Sequence, residues 1–149
     1  MDLIAELKKR SKRLPKHVVK FVEGELLWYE DNKKLLSLWD RQRDELMNGL
    51  KAHTQDQKRH QIGSVYDPVG QLATEIIMLE EPLTRTEFYV KAVDDVWDNL
   101  TLEERQIIKL RYFKGLTWQA VSMGLCISRS SLFRHQEDLM KKFAIRMGL

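Results

Sequence analysis

Apolar residues recur at helical spacing along most of the chain. From Lys16 to about Leu50, Phe21, Trp28, Leu35, Trp39, Leu46 and Leu50 follow at steps of seven, seven, four, seven and four, and Val22, Leu26, Tyr29, Leu36 and Met47 widen the stripe. With a single Gly24 and no proline, this period predicts one long amphipathic helix over 16–50. Its apolar side must be covered, either by the intramolecular core or by a second copy of the chain in a coiled coil or helical hairpin. Gln42 and Arg43 break the heptads and argue against a long uninterrupted coiled coil. Residues 51–66 are polar and lose the period, which predicts a loop or linker. Asp67-Pro68 then has the form of an N-cap followed by proline at the first helical position. Val69, Leu72, Ile76 and Leu79 continue at steps of three to four, and Glu80-Glu81-Pro82 is expected to end the element.

Two capping-box patterns follow. Thr84-Arg85-Thr86-Glu87 is expected to open a helix with Phe88, Ala92, Val96 and Leu100 inward and Lys91, Asp94, Asp95 and Asp98 outward. Thr101-Leu102-Glu103-Glu104 is expected to open another that runs through Phe113, with Leu102, Ile107, Ile108, Leu110, Tyr112 and Phe113 as apolar support. Gly115 stands where a helix C-terminus needs a left-handed residue. Beyond it, Thr117 and Ser128 each occupy an N-cap position ahead of a helical pattern, and the short gap between the two patterns is helix-turn-helix spacing. In the second pattern, 100° per residue puts Leu132, His135, Gln136, Leu139 and Phe143 inward and Ser130, Arg134, Glu137 and Lys141 opposite, flanked by Arg129, Ser131 and Phe133. The fold class that follows is all-α: a long N-terminal helix plus a C-terminal helical domain. The chain divides into a basic arm and long helix (1–60), an acidic helical connector (61–100) and a helix-turn-helix domain (101–149).

Charge sharpens this picture. The 149 residues carry a net charge of +3, with 43% hydrophobic and 32% charged residues, a balance that supports a packed core. Residues 1–60 hold 14 Lys/Arg against 10 Asp/Glu, residues 61–100 hold 2 against 8, and residues 101–149 hold 9 against 4. A basic C-terminal third that carries a helix-turn-helix pattern argues for phosphate contact. The basic run Lys8, Lys9, Arg10, Lys12, Arg13, Lys16 and Lys20 reads as a solvated terminus or as an arm adding phosphate contacts. The lone Cys126 excludes an internal disulfide framework, and a reducing cytoplasm is the simplest compartment. No apolar run is long enough to span a membrane, and no signal-peptide pattern follows Met1.

Little in the chain points to catalysis. His53 and His60 have no Cys or second acidic partner at ligand spacing. Glu80/Glu81, Asp94/Asp95 and Glu103/Glu104 are sequence neighbours that diverge around a helix, which makes poor acid–base dyads. There is no Gly-rich phosphate loop and no Ser/His/Asp arrangement, so the expectation is a non-enzyme without cofactor or metal. In a helix-turn-helix, the second helix enters the DNA major groove by its N-terminal end. Ser130 and Arg134, with Ser131 and Phe133, are the candidates for base edges: arginine forks onto guanine and phenylalanine meets a thymine methyl. Arg129, Lys114, Arg111 and the helix N-terminus at Thr117 suit phosphates. Ser128 and Trp118 complete the candidate DNA-binding set. Arg134 also reads as a solvated helix residue, and Phe133 and Trp118 as packing residues.

From Leu116-Thr117 through Leu125-Cys126-Ile127-Ser128-Arg129 to Glu137, the sequence resembles region 4 of bacterial sigma factors. It departs at Cys126, where that family usually has glycine; if the position needs a positive φ, cysteine is strained there, or Gly124 takes over part of the turn. More of the chain is similar to the RinA/ArpU-like late-gene regulators of phages of Gram-positive bacteria. That resemblance rests on Val22-Glu23-Gly24-Glu25-Leu26, Tyr29, Asn32-Lys33-Lys34, the Asp67-Pro68 segment and Leu110-Arg111-Tyr112-Phe113. It implies a phage-encoded activator in the host bacterial cytoplasm. Such a protein would bind double-stranded DNA upstream of the late operon and act with host RNA polymerase. A homo-oligomer through residues 16–50 is the second reading of the apolar stripe. The rivals are a small terminase-like DNA-packaging recognition subunit, a sigma-like factor and, last, a nuclease or recombinase accessory.

Overall fold

The structure, a computed structural model, describes residues 13–56 and 68–149. Among them there is no strand, and the expected all-α class holds. The helices are α1 (Lys16–Leu27), α2 (Tyr29–Asp56), α3 (Pro68–Asp98), α4 (Leu102–Ile108), α5 (Trp118–Leu125) and α6 (Arg129–Arg146); a π-helical turn, Lys109–Phe113, prolongs α4.

Two expectations are corrected. The single helix over 16–50 is interrupted at Trp28, which leaves helical geometry at φ −91° and ψ 0°. Tyr29, just after the break, is held by tertiary contacts: its ring stacks on Phe113 at 5.3 Å and its hydroxyl donates to Asp94. The second piece then runs past Leu50 to Asp56, into the expected linker; the rest of that linker and Asp67 lie outside the described residues. The second correction concerns Pro82, which does not end a helix but lies inside α3. Thr84 does not cap a new one. Its hydroxyl donates to the Glu80 carbonyl at 2.8 Å, and Thr86 donates to the Pro82 carbonyl at 3.0 Å. A threonine that turns its hydroxyl back to the carbonyl four residues earlier is a helix-interior residue.

Packing divides the chain into two units, one of residues 1–30 (described from Arg13) with Phe88–Leu149, the other Asp31–Glu87. This differs from the linear partition drawn from charge and period, because α1 packs with the C-terminal helices. In the first unit Val22 and Leu26 of α1 join Val93, Ile107, Ile108, Val121, Leu132, Leu139, Met140 and Phe143 in one buried cluster. Phe88 and Leu102, expected inward, are 48% and 75% exposed. The buried face of α3 runs through Ala92, Val93, Val96 and Leu100. At 100° per residue, its centre lies about a quarter turn from Phe88. Leu102 is the first residue of α4, ahead of the turn that packs.

The ends of these helices are tied. The Thr101 capping box is complete, with Thr101 Oγ1 accepting from the Glu104 amide at 3.2 Å and Glu104 Oε2 accepting from the Thr101 amide at 3.3 Å. The Arg105 guanidinium closes the C-terminus of α3 by donating to the Trp97 and Asp98 carbonyls at 3.1 and 3.3 Å. Lys142 pairs with Glu104 at 3.1 Å, and Arg146 Nε donates to Asp95 at 3.0 Å. In the second unit Trp39 and Ile76 are buried, as the stripe predicts, whereas Leu35, Leu38, Ile77 and Met78 are exposed. No described helix is long and apolar enough to cross a membrane.

Candidate nucleic-acid interface

Both caps expected for the paired helices are present. Thr117 Oγ1 accepts from the Ala120 amide at 3.2 Å, and Ser128 Oγ accepts from the Ser131 amide at 3.3 Å. Only Cys126, Ile127 and Ser128 separate α5 from α6. Ser122 ties this turn twice at Ile127: its hydroxyl donates to the Ile127 carbonyl at 2.6 Å, and its carbonyl accepts from the Ile127 amide at 3.1 Å. The turn requires a left-handed residue, and Cys126 supplies it at φ 55° and ψ 37°. Gly115 takes φ 71°, as its position predicts. A side chain in this region is penalised by roughly 1–2 kcal/mol, partly offset by glycine's greater loss of chain entropy. Cys126→Gly is therefore expected to stabilise the protein by about 0.5–1 kcal/mol, read from the urea midpoint. An unchanged or lowered midpoint would show that the backbone there is not strained.

The first turns of α6 stand in solvent. Arg129, Ser130 and Arg134 are exposed, Ser131 is half-buried and Phe133 is 46% exposed. Arg129, Arg134 and the exposed Lys114 form no ion pair among the described residues. The Ser128 hydroxyl also donates to the Ser131 hydroxyl at 2.9 Å, so these two serines belong to the cap. Ser130 is exposed, with its hydroxyl 3.5 Å from that of Ser128. Behind it the rear of α6 is buried as the rotation predicts, through Leu132, Leu139 and Phe143, with Met140 and Ala144 added. His135 sits half-buried 4.0 Å from Glu103.

Arg111 is placed differently from the rest of the candidate set. It is half-buried; its Nη1 donates to the Leu116 carbonyl at 2.8 Å, and its guanidinium lies 5.0 Å over the Trp118 ring. It thus braces the start of α5. Trp118 in turn meets Tyr112 edge-on at 6.1 Å and Phe133 at 6.3 Å. Arg111, Trp118 and Phe133 form a chain of side-chain contacts from the support helix to the exposed turn. Phe133 is consequently held on one side and open on the other.

Sequence reasoning missed Glu23. Its carboxylate accepts from the Gln136 amide at 3.0 Å and from the Tyr112 hydroxyl at 3.2 Å, joining α1, the π-helical turn and α6 at one atom. Burial first, and the Glu23 carboxylate second, hold the Tyr112 phenol far above its usual range. The only hint in the sequence is that Glu23 adjoins Val22 on the apolar side of α1. Arg13, just ahead of α1, reaches Glu137 on α6 at 3.2 Å. Arg13, Ser130, Phe133, Arg134, Gln136 and Glu137 line an open groove of about 460 Å³. Among the described residues, no group of three or more His, Cys, Asp or Glu side chains is placed to hold a metal ion.

Residues 54–145 match the model of DUF722, a family of proteins of unknown function, and the chain belongs to that family. The matched span takes in α3 to α5 and all but the last residue of α6. No curated protein and no solved structure matches the chain.

Proposed function

We propose that this DUF722 member is a sequence-specific regulator of transcription that binds double-stranded DNA. It carries out no chemistry of its own. The observation behind this reading is the first part of α6: Arg129, Ser130 and Arg134 stand exposed, with both arginines unpaired among the described residues, on a helix capped at Ser128 and buried along its rear face. Ser130 and Arg134 read base edges; Arg129 and Lys114 take phosphates, as does the N-terminus of α5 at Thr117. Arg111 and Trp118 hold the reading turn in place. The finer reading is a phage-encoded activator of late genes that works with host RNA polymerase in the bacterial cytoplasm. Its support is the resemblance of Leu116–Glu137 to sigma region 4 and of the earlier motifs to RinA/ArpU-like regulators. A DNA-packaging recognition subunit is the second reading, favoured by the exposed Leu35, Leu38, Ile77 and Met78 of the Asp31–Glu87 unit. Mass in solution separates the two, a ring pointing to packaging and a monomer or dimer to regulation.

The direct test begins with a duplex selected by the protein from a random-sequence pool. Arg134→Ala is expected to lower discrimination between that duplex and a scrambled one by roughly 1–3 kcal/mol, the size of one lost base contact. Equal weakening on both duplexes would remove the base-reading role of Arg134.

A further inference from the structure

We infer that a cationic groove between α1 and α6 seats the phosphate strand bordering the major groove that the first turn of α6 reads, so that one duplex is held at two places. This rests on the DNA-binding reading above and adds a surface to it.

The groove, of about 470 Å³, is lined by Arg13, Lys16, Lys20 and Lys141 around Glu137, with Met140 among its apolar residues. Four cations therefore surround one carboxylate, and that carboxylate is already paired with Arg13 at 3.2 Å. Lys16 and Lys20 are exposed and four residues apart, which places them on one face of α1. Val22 and Leu26, buried in the core of the same unit, fix that helix. The two charges are thus presented by a rigid element.

Position decides what the groove holds. It shares Arg13, Gln136 and Glu137 with the groove that contains Ser130, Phe133 and Arg134, so the two are continuous along α6. Ser130 and Lys141 are eleven residues apart on one side of α6. At 1.5 Å per residue they are separated by roughly 16 Å. The major groove is about 12 Å wide. A helix that reads bases at Ser130 therefore carries Lys141 and the α1 lysines past the groove edge, where the phosphates lie. An acidic peptide would also answer the charge, but it would have to lie against the same face that the duplex occupies.

The test uses the full chain and two 30-base-pair duplexes, one selected and one of random sequence, with binding measured across a salt series. Each phosphate contact contributes about 0.9 to the slope of log affinity against log salt. Lys16→Ala with Lys20→Ala is expected to lower the slope by about 2 on both duplexes alike, with helicity and unfolding midpoint unchanged. Lys16→Arg with Lys20→Arg is expected to keep it. A parental slope in the alanine variant would overturn the inference and leave the groove to a protein partner. A fallen slope in the arginine variant would also overturn it, because the effect would then be structural. Neither result touches the reading of α6; in this experiment that reading fails if the parent binds neither duplex or binds both equally.

Discussion

Phe143→Ala is expected to destabilise the unit that carries α6 by about 3–5 kcal/mol, the loss typical of a buried phenylalanine whose site collapses only in part. Phe143 is fully buried and is the largest such side chain among the described residues. It lies thirteen residues beyond Ser130, roughly 20 Å along the helix, and has no place at the candidate interface. Natural domains have only about 5–15 kcal/mol to lose, so a large share of the variant unfolds at modest urea. The two-helix module should fail with it, because α1 packs against both α6 and the π-helical turn. The measurement pairs a urea unfolding curve with DNA affinity under folding conditions. Stability should fall sharply, while the molecules that remain folded bind with parental affinity. A loss below about 1 kcal/mol would contradict the packing of the rear face, since it would match no buried aromatic truncation.

That prediction depends on which parts of the fold local chemistry determines. Thr101, Thr117 and Ser128 cap their helices as their spacing to the next turn requires. Gly115 takes the left-handed conformation that its position predicts, and of the two alternatives at the turn it is Cys126 that takes a positive φ. The rear of α6 follows from rotation alone. These features are legible because each depends on neighbours within four residues. The errors have a shared cause as well. Thr84-Arg85-Thr86-Glu87 has the composition of a capping box, but a threonine hydroxyl bonds a carbonyl four residues back as readily as it caps. Period alone places Phe88 and Leu102 inward, but a partner helix covers only part of a stripe. The break at Trp28 has neither Gly nor Pro to announce it; the contacts of Tyr29 with Phe113 and Asp94 lie far away in the chain.

The candidate site shows the same division. Arg129, Ser130 and Arg134 were found by counting from the Ser128 cap, and the structure exposes all three. Arg111 was assigned to phosphate on charge, yet its guanidinium stacks on Trp118 and bonds a carbonyl. Glu23 could not be found in this way, since its partners Tyr112 and Gln136 are 89 and 113 residues distant. The same holds for α1, read from the sequence as part of one long helix covered either by the intramolecular core or by a second copy of the chain. Its residues Val22, Glu23 and Leu26 belong to the core and polar ties of the unit that carries α6. A long apolar stripe shows that a face is buried, without showing what buries it.

The second large effect has the opposite sign. Pro82→Ala is expected to stabilise α3 by up to about 3 kcal/mol, the size of the penalty for proline in a helix interior. Pro82 lacks the amide that would bond the Met78 carbonyl, and its ring crowds that carbonyl. The stretch has little packing in reserve, since Ile77 and Met78 are 68% and 73% exposed. The two nearby threonine bonds, Thr84 to Glu80 and Thr86 to Pro82, serve neighbouring carbonyls and not that of Met78. Alanine restores the missing bond and adds the residue with the highest helix propensity. The Asp31–Glu87 unit, where few side chains are buried, should respond first. Hydrogen exchange in the turns flanking residue 82 should slow by up to about a hundredfold, the equivalent of 3 kcal/mol at 1.4 kcal/mol per decade. Exchange in α6 should not change, because its protection rests on the Phe143 core. Faster exchange around residue 82 in the alanine variant would show that proline is accommodated without strain and that α3 does not pass through it as a continuous helix.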